Sequence, residues 1–488
     1  MANSHEYATL LSEVNPTAYN NLFESSIKQY GGDMNSLTFG ADTDWYDELL
    51  RTALITNHSL SISGGSDKAV YSVGMSYLAQ DGIMDMENYY RRLNFRAALD
   101  FDATSWLKVG FNAVFSNAQQ QQPNNSAWEV AFKAPPIFPV YDETRGDDVF
   151  PVKYASPKQI GYADNFRNPV ATAHFHDARN ENYQALSNFY AQINILPEKL
   201  NIRSSYSYDY SMIRGTAFTP KYHIASNQQS ATTSLTKSDT TWYKWIWDNV
   251  ATYTDSWGAH NFTGMLGASM RSENYRFLTG TATNVPDGAD EWKYIHQGQK
   301  EGATVDDNGT RYRGLSYFTR LNYSYDDRYM LMFTFRADGS SKYNEKWGYF
   351  PSVGAAWVIS NESFMQDQKA FDYMKLRASW GKLGNDKIAA SDGFASITNT
   401  DAVFGGDRFT GYKNEVYFSW LAWEVVNETN VGLQLSTLKN RLNADIDWYY
   451  RLTDNAVISP KVPLIGKTLA GNYGQILNMG LDLSLNWS

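Results

Sequence analysis

The 488-residue sequence predicts an all-β protein: an antiparallel up-and-down barrel that crosses a membrane and is incomplete. Three observations carry this expectation. Apolar and polar residues alternate with a period of two over runs longer than soluble strands need. Aromatic side chains gather near the ends of those runs. Short and long connections between the runs take turns along the chain.

Composition removes competing classes. The chain has 34 Tyr, 25 Phe and 15 Trp, so aromatics make up 15% of it, and only 19% of residues are charged. Soluble domains carry roughly 25% charged residues. Mean hydropathy is nevertheless −0.49, so the apolar residues are interleaved with uncharged polar ones and not gathered into a core. A net charge of −10 leaves no electrostatic footprint for nucleic acid. No apolar run reaches the roughly 18 residues of a transmembrane helix. The start, Met1-Ala2-Asn3-Ser4-His5-Glu6, lacks the basic-then-apolar order of a signal peptide. With no Cys, disulfides and thiolate metal sites are excluded.

Residues 1–57 read as a loop segment with one short helix. Asn15 is placed to cap it, Pro16 suits the first helical position, and Tyr19, Leu22, Phe23, Ile27 and Tyr30 recur at helical spacing before Gly31-Gly32 ends the run. Residues 58–488 read as the barrel. Leu200, Ile202, Tyr206, Tyr208, Tyr210 and Met212 share one face, and Asn201, Arg203, Ser205, Ser207, Asp209 and Ser211 the other. The same alternation marks 93–101, 243–247, 329–337 and 441–452. Successive side chains of a strand point to opposite faces, so each run has an apolar and a polar side. The runs persist for ~10–15 residues, whereas a soluble strand averages about 5–6 and a tilted membrane strand needs about 9–11. The polar side carries Arg92, Arg96, Asp100, Asp102, Arg320, Arg336 and Asp338. Those charges are costly to bury unpaired and acceptable beside a watery lumen.

Very short links are expected at Gly64–Lys68, Ala103–Ser105, Pro197–Lys199, Trp257–Ala259, Asp326-Asp327 and Leu438–Asn440. Longer ones are expected near 80–88, 117–180, 214–240, 278–309, 340–350, 381–415 and 453–473, with 361–372 an irregular long link on the short side. Tight periplasmic turns and long extracellular loops are sorted this way in outer-membrane barrels. About fifteen strands can be counted. An edge strand open to lipid would strand backbone groups at several kcal/mol each, so the chain is expected to be part of a larger barrel.

Specific residues then support a resemblance. Arg336-Ala337-Asp338-Gly339-Ser340-Ser341-Lys342-Tyr343, followed by Trp347-Gly348-Tyr349-Phe350-Pro351-Ser352 and Trp357, is similar to a signature of SusC/RagA-type TonB-dependent outer-membrane transporters. Leu376-Arg377-Ala378-Ser379-Trp380-Gly381-Lys382-Leu383-Gly384-Asn385 resembles the stretch that follows it there, with Leu383 in place of the usual Thr. Thr43-Asp44-Trp45, Ser61-Ile62-Ser63-Gly64-Gly65-Ser66, Gln80-Asp81-Gly82-Ile83, Asn427-Glu428-Thr429-Asn430-Val431-Gly432-Leu433 and Asn478-Met479-Gly480-Leu481-Asp482-Leu483 resemble further family segments, with Asp482 replacing the common Glu.

The resemblance implies about fifteen of twenty-two strands. It places Met1 inside the first extracellular loop and Ser488 some six strands short of the end. It implies a plug and a TonB-box segment elsewhere, a SusD-like surface lipoprotein as partner, the Gram-negative outer membrane of a Bacteroidota-type cell as location, and an oligosaccharide or oligopeptide as ligand. No cofactor is implied. A soluble glycan-binding β protein, a carbohydrate-active enzyme and a passive porin are the competing classes.

Catalytic and metal motifs give little. His174-Phe175-His176 places two imidazoles near each other without a third ligand for zinc. Asp306-Asp307-Asn308-Gly309 and Asp142-Glu143 with Asp147-Asp148 are oxygen-rich but lack calcium-loop spacing, and Asn308-Gly309 favours a turn. Gly466-Lys467-Thr468 resembles the end of a phosphate loop, but Lys461 stands where its first Gly belongs. No GxSxG or HExxH occurs. Scattered Asp/Glu pairs have no legible separation. The ligand candidates are aromatics in the long connections: Trp128, Tyr141, Tyr154, Tyr162, Trp292, Tyr294, Tyr412 and Tyr417. Flat rings with polar tips suit stacking on sugars or peptide side chains, but for any single one of them packing between loops or against a partner is the commoner role. Gln119–Gln122 with Pro123-Asn124-Asn125 reads as an exposed loop tip.

Overall fold

Period-two runs fold as strands, and here each one pairs with its sequence neighbours. The computed structural model describes residues 2–36, 38–147, 149–388, 396–415, 421–461 and 470–487. Among them a single sheet of fifteen strands runs in chain order, antiparallel throughout. The strands are β1 (Ile55–Ser66), β2 (Ala69–Asp81), β3 (Tyr89–Asp102), β4 (Leu107–Gln122) and β5 (Asp177–Leu196), then β6 (Leu200–Thr219), β7 (Ser234–Trp257), β8 (His260–Thr283), β9 (Thr304–Tyr325) and β10 (Tyr329–Ser340). The last five are β11 (Trp347–Val358), β12 (Tyr373–Asn385), β13 (Glu424–Thr437), β14 (Leu442–Ile458) and β15 (Gly471–Trp487). Strands β1 and β15 stand at the two open edges, so the wall does not close.

Register decides what each face is. Met479 pairs with Tyr450, Tyr450 with Thr429, Thr429 with Trp380, Trp380 with Val353, Val353 with Phe333 and Phe333 with Leu321. Directly paired residues lie on the same side of a sheet, so one face, apolar in this row except at Thr429, runs from β15 to β9. The opposite face carries Asp447, Gly432, Arg377, Ala356, Met330 and Ser324 in the matching row. A one-residue slip at any pair would exchange the faces.

The short links lie where the alternation ends. Asp326 and Asp327 take left-handed backbone at φ 52° and 49°, a conformation short polar side chains tolerate. The irregular link after β11 is tied down by Glu362, which accepts hydrogen bonds from Tyr329 Oη at 2.5 Å, Trp357 Nε1 at 3.0 Å and Arg328 Nη1 at 3.2 Å. The long links are shorter than expected because the strands continue into them. β7 and β8 have 24 residues each, about 80 Å at ~3.3 Å per residue, far more than the ~30 Å bilayer core requires. Asp306-Asp307-Asn308-Gly309 is therefore not a turn: it lies inside β9, where Asn308 pairs with Phe277 and Gly309 with Arg276. Cross-strand pairing outweighs the local turn preference of Asn-Gly there.

Helix α2 (Pro16–Tyr30) forms as its residues require, with Asn15 Oδ1 accepting from Ala18 N–H and Gly31 at its end. One helix before the wall was expected, but three are present. α1 (Ser4–Val14) starts at a capping box between Asn3 and Glu6, and α3 (Trp45–Leu49) at Asp44. The helices α4 (Ser126–Lys133) and α5 (Pro169–His174) lie in the β4–β5 connection. These pieces form the main buried core of the described residues, with Phe23, Trp45, Met84, Ile137, Phe138 and Ile160 almost wholly covered. Trp45 Nε1 donates to Pro135 O at 2.9 Å, and Ser26 Oγ to Ile137 O at 2.5 Å. The core sits above the wall, between loops, because the wall itself has nothing dry to bury against.

Candidate functional site

The polar face of the wall is built of charges that reach each other across an intervening strand. Arg377 on β12 and Asp447 on β14 both pair with Gly432 of β13, and Arg377 Nη2 lies 2.5 Å from Asp447 Oδ2. A Cβ on Gly432 would stand 2.1 Å from Asp447 Oδ1 and 2.4 Å from Arg377 Nε. The missing side chain is what lets the pair close. Gly110 plays the same part between Asp100 and Tyr190, whose hydroxyl donates to the Asp100 carboxylate, and Arg203 lies 3.8 Å over the Tyr190 ring. Arg451 meets Glu428 at 2.9 Å on the same face. A groove of about 520 Å³ runs beside Arg377 and Asp447, lined by the polar Asn322, Ser324, Ser379 and Asn430 and equally by the apolar Met330, Met332 and Ala356. Such a surface is wet and fixed in charge, and offers hydrogen bonds to a polar solute passing along it.

Above the wall, the structure separates the aromatic candidates. Tyr154 and Tyr162 are 3% and 8% exposed. They are packing residues of the loop core, which corrects the expectation that they present a ring to ligand: Tyr162 Oη shares a 2.8 Å hydrogen bond with Tyr7 Oη, and Tyr154 is covered by Tyr141, His174 and Phe175. Burial pushes the pKa of both hydroxyls up. Trp128 is half-buried on α4 with its ring 5.9 Å from Tyr46. Tyr141 remains open and stacks on Tyr154 with centroids 5.1 Å apart. Trp292 and Tyr294 are brought together on the β8–β9 loop, exposed, with Lys237 Nζ 4.5 Å over the Tyr294 ring. Tyr412 falls on a hairpin of two strands, Ser396–Phe404 and Asp407–Glu415, where it pairs with Asn399. Tyr417 and Gly466-Lys467-Thr468 lie outside the described residues.

The oxygen-rich and His motifs are accounted for locally. Asp142 accepts from Gln29 Nε2 at 3.2 Å, Gln159 Nε2 at 3.0 Å and Thr144 N–H at 2.9 Å, so its carboxylate already holds protein donors. His174 ends α5 and His176 follows it; burial pushes the His176 pKa down, opposed by the nearby Asp177 charge. No cluster of three or more His, Asp or Glu suited to a metal ion occurs among the described residues.

Sequence reasoning did not find the charges at the strand tips. Asp177 and Asp290 hold Arg179 and Lys293 in a four-membered ion-pair network, with Lys293 Nζ 3.0 Å from an oxygen of each acid. The network pins the β8–β9 loop to the tip of β5. Its two halves, 177/179 and 290/293, are more than a hundred residues apart, so no local pattern announces their contact.

TonB-dependent receptor P26 of Formosa agariphila is 28% identical over 497 residues, covering 99% of this chain and 48% of that protein. TonB-dependent receptor SusC of Bacteroides thetaiotaomicron is 28% identical over 500 residues, covering 95% and 48%. The chain spans about half the length of these curated relatives. Among solved structures, that of the RagAB peptide transporter superposes with a TM-score of 0.81 at 22% identity, over 99% of this chain and 56% of that one. Residues 139–488, most of the chain, match the family described as "TonB dependent receptor-like, beta-barrel", and the chain belongs to that family.

Proposed function

We propose that the chain forms part of the wall and extracellular rim of an outer-membrane transporter. It would import oligosaccharides or oligopeptides through TonB coupling, together with a SusD-like surface lipoprotein. One observation carries the reading: a predominantly apolar face for lipid backs a face of ion pairs and amides suited to a water-filled path. In this proposal the plug and TonB box lie in the part of the protein beyond these residues. Trp128, Tyr141, Trp292, Tyr294, Tyr412 and Tyr417 remain the candidates for meeting ligand or lipoprotein at the rim. No bond is made or broken.

Deletion of the full-length gene in its own bacterium tests this. Uptake of labelled oligosaccharide or oligopeptide pools should fall, should return on complementation, and should collapse when the proton-motive force is discharged. The full-length protein should also co-purify with a surface lipoprotein. Unchanged uptake of both pools, or a full-length product that stays folded and monodisperse without detergent, overturns the reading.

A further inference from the structure

On the apolar face of β8 and β9 the side chains change character at one height. Above Met270 and Leu315, which pair with each other, the same face carries Ser272 and Arg313, then Asn274 and Arg311, then Arg276 and Gly309. Arg276, Arg311 and Arg313 are all exposed. The carboxylates of this flank leave them free: Asp239 pairs with Arg214 at 3.8 Å, and Asp307, opposite Leu278, makes no ion pair among the described residues. Arg311 is also held in place. Its Nε donates to Asn274 Oδ1 at 2.9 Å, and Asn274 Nδ2 donates to Ser272 Oγ at 3.2 Å. Asn274 and Ser272 are buried on this face. Their chain fixes one edge of the guanidinium and leaves its four Nη hydrogens to be met from outside.

Height identifies what these cations meet. Tyr323, Tyr325 and Tyr329 gather at the short-link end of this face. Trp347, stacked on Tyr317 with centroids 6.2 Å apart, stands toward its other end in the row of Leu315. Arg313 is ten residues above Tyr323 along β9. At ~3.3 Å per residue and a tilt of about 40°, that is about 25 Å of height, the span of a barrel's apolar band between its aromatic girdles. Arg313 therefore stands at the outer boundary of the band. Arg311 and Arg276 stand one and two rows beyond it, at the depth of lipid headgroups. A guanidinium is planar, always charged and forked, which matches the oxygens of a phosphate.

We propose that Arg276, Arg311 and Arg313 together bind the phosphate of an outer-leaflet lipid headgroup. The site lies on the flank of the wall, with its back to the polar face, and takes no part in the path of a transported solute. It rests on the proposed function in one respect, that this face meets lipid. What is carried, and with which partner, does not enter.

The test uses the full-length protein in a neutral detergent, with native mass spectrometry reading the lipid it retains. The probes are monophosphoryl lipid A, the same lipid with its phosphate removed, and inorganic phosphate. The phosphorylated lipid should be retained about tenfold more strongly than the other, or better. Millimolar inorganic phosphate should not displace it, because it lacks the acyl chains that hold a headgroup at this height. Arg276→Gln with Arg311→Gln and Arg313→Gln should bring the two lipids to near-equal retention, the fold being checked by the gel-mobility shift of the heated protein. Arg96→Gln with Arg320→Gln removes charge from the polar face instead and should keep the preference. Equal retention of the two lipids by the unsubstituted protein, displacement by inorganic phosphate, an unchanged preference in the triple variant, or its loss in the polar-face variant overturns the proposal. A full-length protein that stays folded and monodisperse without detergent removes the lipid-facing wall itself, so the two failures are told apart.

Discussion

Arg377 and Asp447 sit two strands apart on the polar face of the wall and touch at 2.5 Å over a glycine. The middle strand contributes only backbone at that point. An ion pair this exposed adds little stability by itself; its use is to hold two opposite charges at fixed places on a wet surface.

Gly432→Ala should therefore force the pair apart. The added Cβ overlaps the Asp447 carboxylate and the Arg377 side chain, both partly exposed and able to move, so a loss of up to about 1 kcal/mol is expected. Gly354→Ala is the control, because its Cβ would meet nothing closer than 3.7 Å. Thermal unfolding of the two variants, followed by the gel-mobility shift of the heated protein, should separate them clearly. Equal melting would remove the role assigned to Gly432.

Adjacent residues on β13 should respond oppositely to charge. Leu433 pairs with Leu376 and Ile446 on the apolar face, while Gln434 pairs with Lys375 and Asp445 on the polar one. Leu433→Arg is expected to cost about 2–4 kcal/mol in a bilayer, as arginine does on a lipid face at mid-depth. Gln434→Arg should fold near the unsubstituted level. Refolding yield into lipid vesicles checks both.

Asn168 is fully buried and holds three segments at once. Its Nδ2 donates to Val140 O at 2.9 Å and Ala155 O at 3.0 Å, and its N–H donates to Gln228 Oε1 at 2.9 Å. Asn168→Leu leaves the Ala155 carbonyl without a donor and the Ala171 N–H at the start of α5 without an acceptor, at about 1–3 kcal/mol each. Protease should then cut within 123–176 much faster while the wall stays intact. Loss of the wall as well would show that the loop core and the sheet unfold as one unit.

The loop pinned by Asp290 should loosen in acid. The Lys293 hydrogen bond first, then Arg179, lowers the Asp290 pKa below its ordinary 3.8 despite partial burial. A carboxylate depressed in the folded state stabilises it above the unfolded pKa, and that contribution fades as pH falls through the folded value. Protection from hydrogen exchange across 284–303, taken relative to the intrinsic rate at each pH, should thus be flat above about pH 5 and fall only below about pH 4. Asp290→Asn should show fast exchange at every pH.

Under the proposed function, Trp292→Ala and Tyr294→Ala are expected to weaken ligand capture at the rim about two- to tenfold, the scale of one ring contact. Tyr162→Phe, inside the loop core, should leave affinity unchanged. Binding assays on the full-length complex decide it.

The strand pattern and the identity of each face could be read from the chain alone, because a strand's period of two is a local property. Leu200 to Met212 already states which way each side chain looks. The same holds for the tight links at Gly258 and Asp326-Asp327, and for the start of α2 at Asn15-Pro16, where the deciding residue lies within a few positions. Strand ends were not legible. Asn308-Gly309 is a turn by preference and a strand by pairing, and pairing is settled by a partner thirty residues away.

Everything that joins distant residues was decided only in three dimensions. Tyr154 and Tyr162 look like Trp292 and Tyr294 in sequence, yet the first two are buried by the packing of α1–α5 and the last two are exposed. The Gly432 crossing, the Asp177–Lys293 contact and the Arg311–Asn274 hydrogen bond each depend on register between strands or on the docking of a loop. Local chemistry sets direction along a chain; which side chains meet is set by how far the backbone carries them.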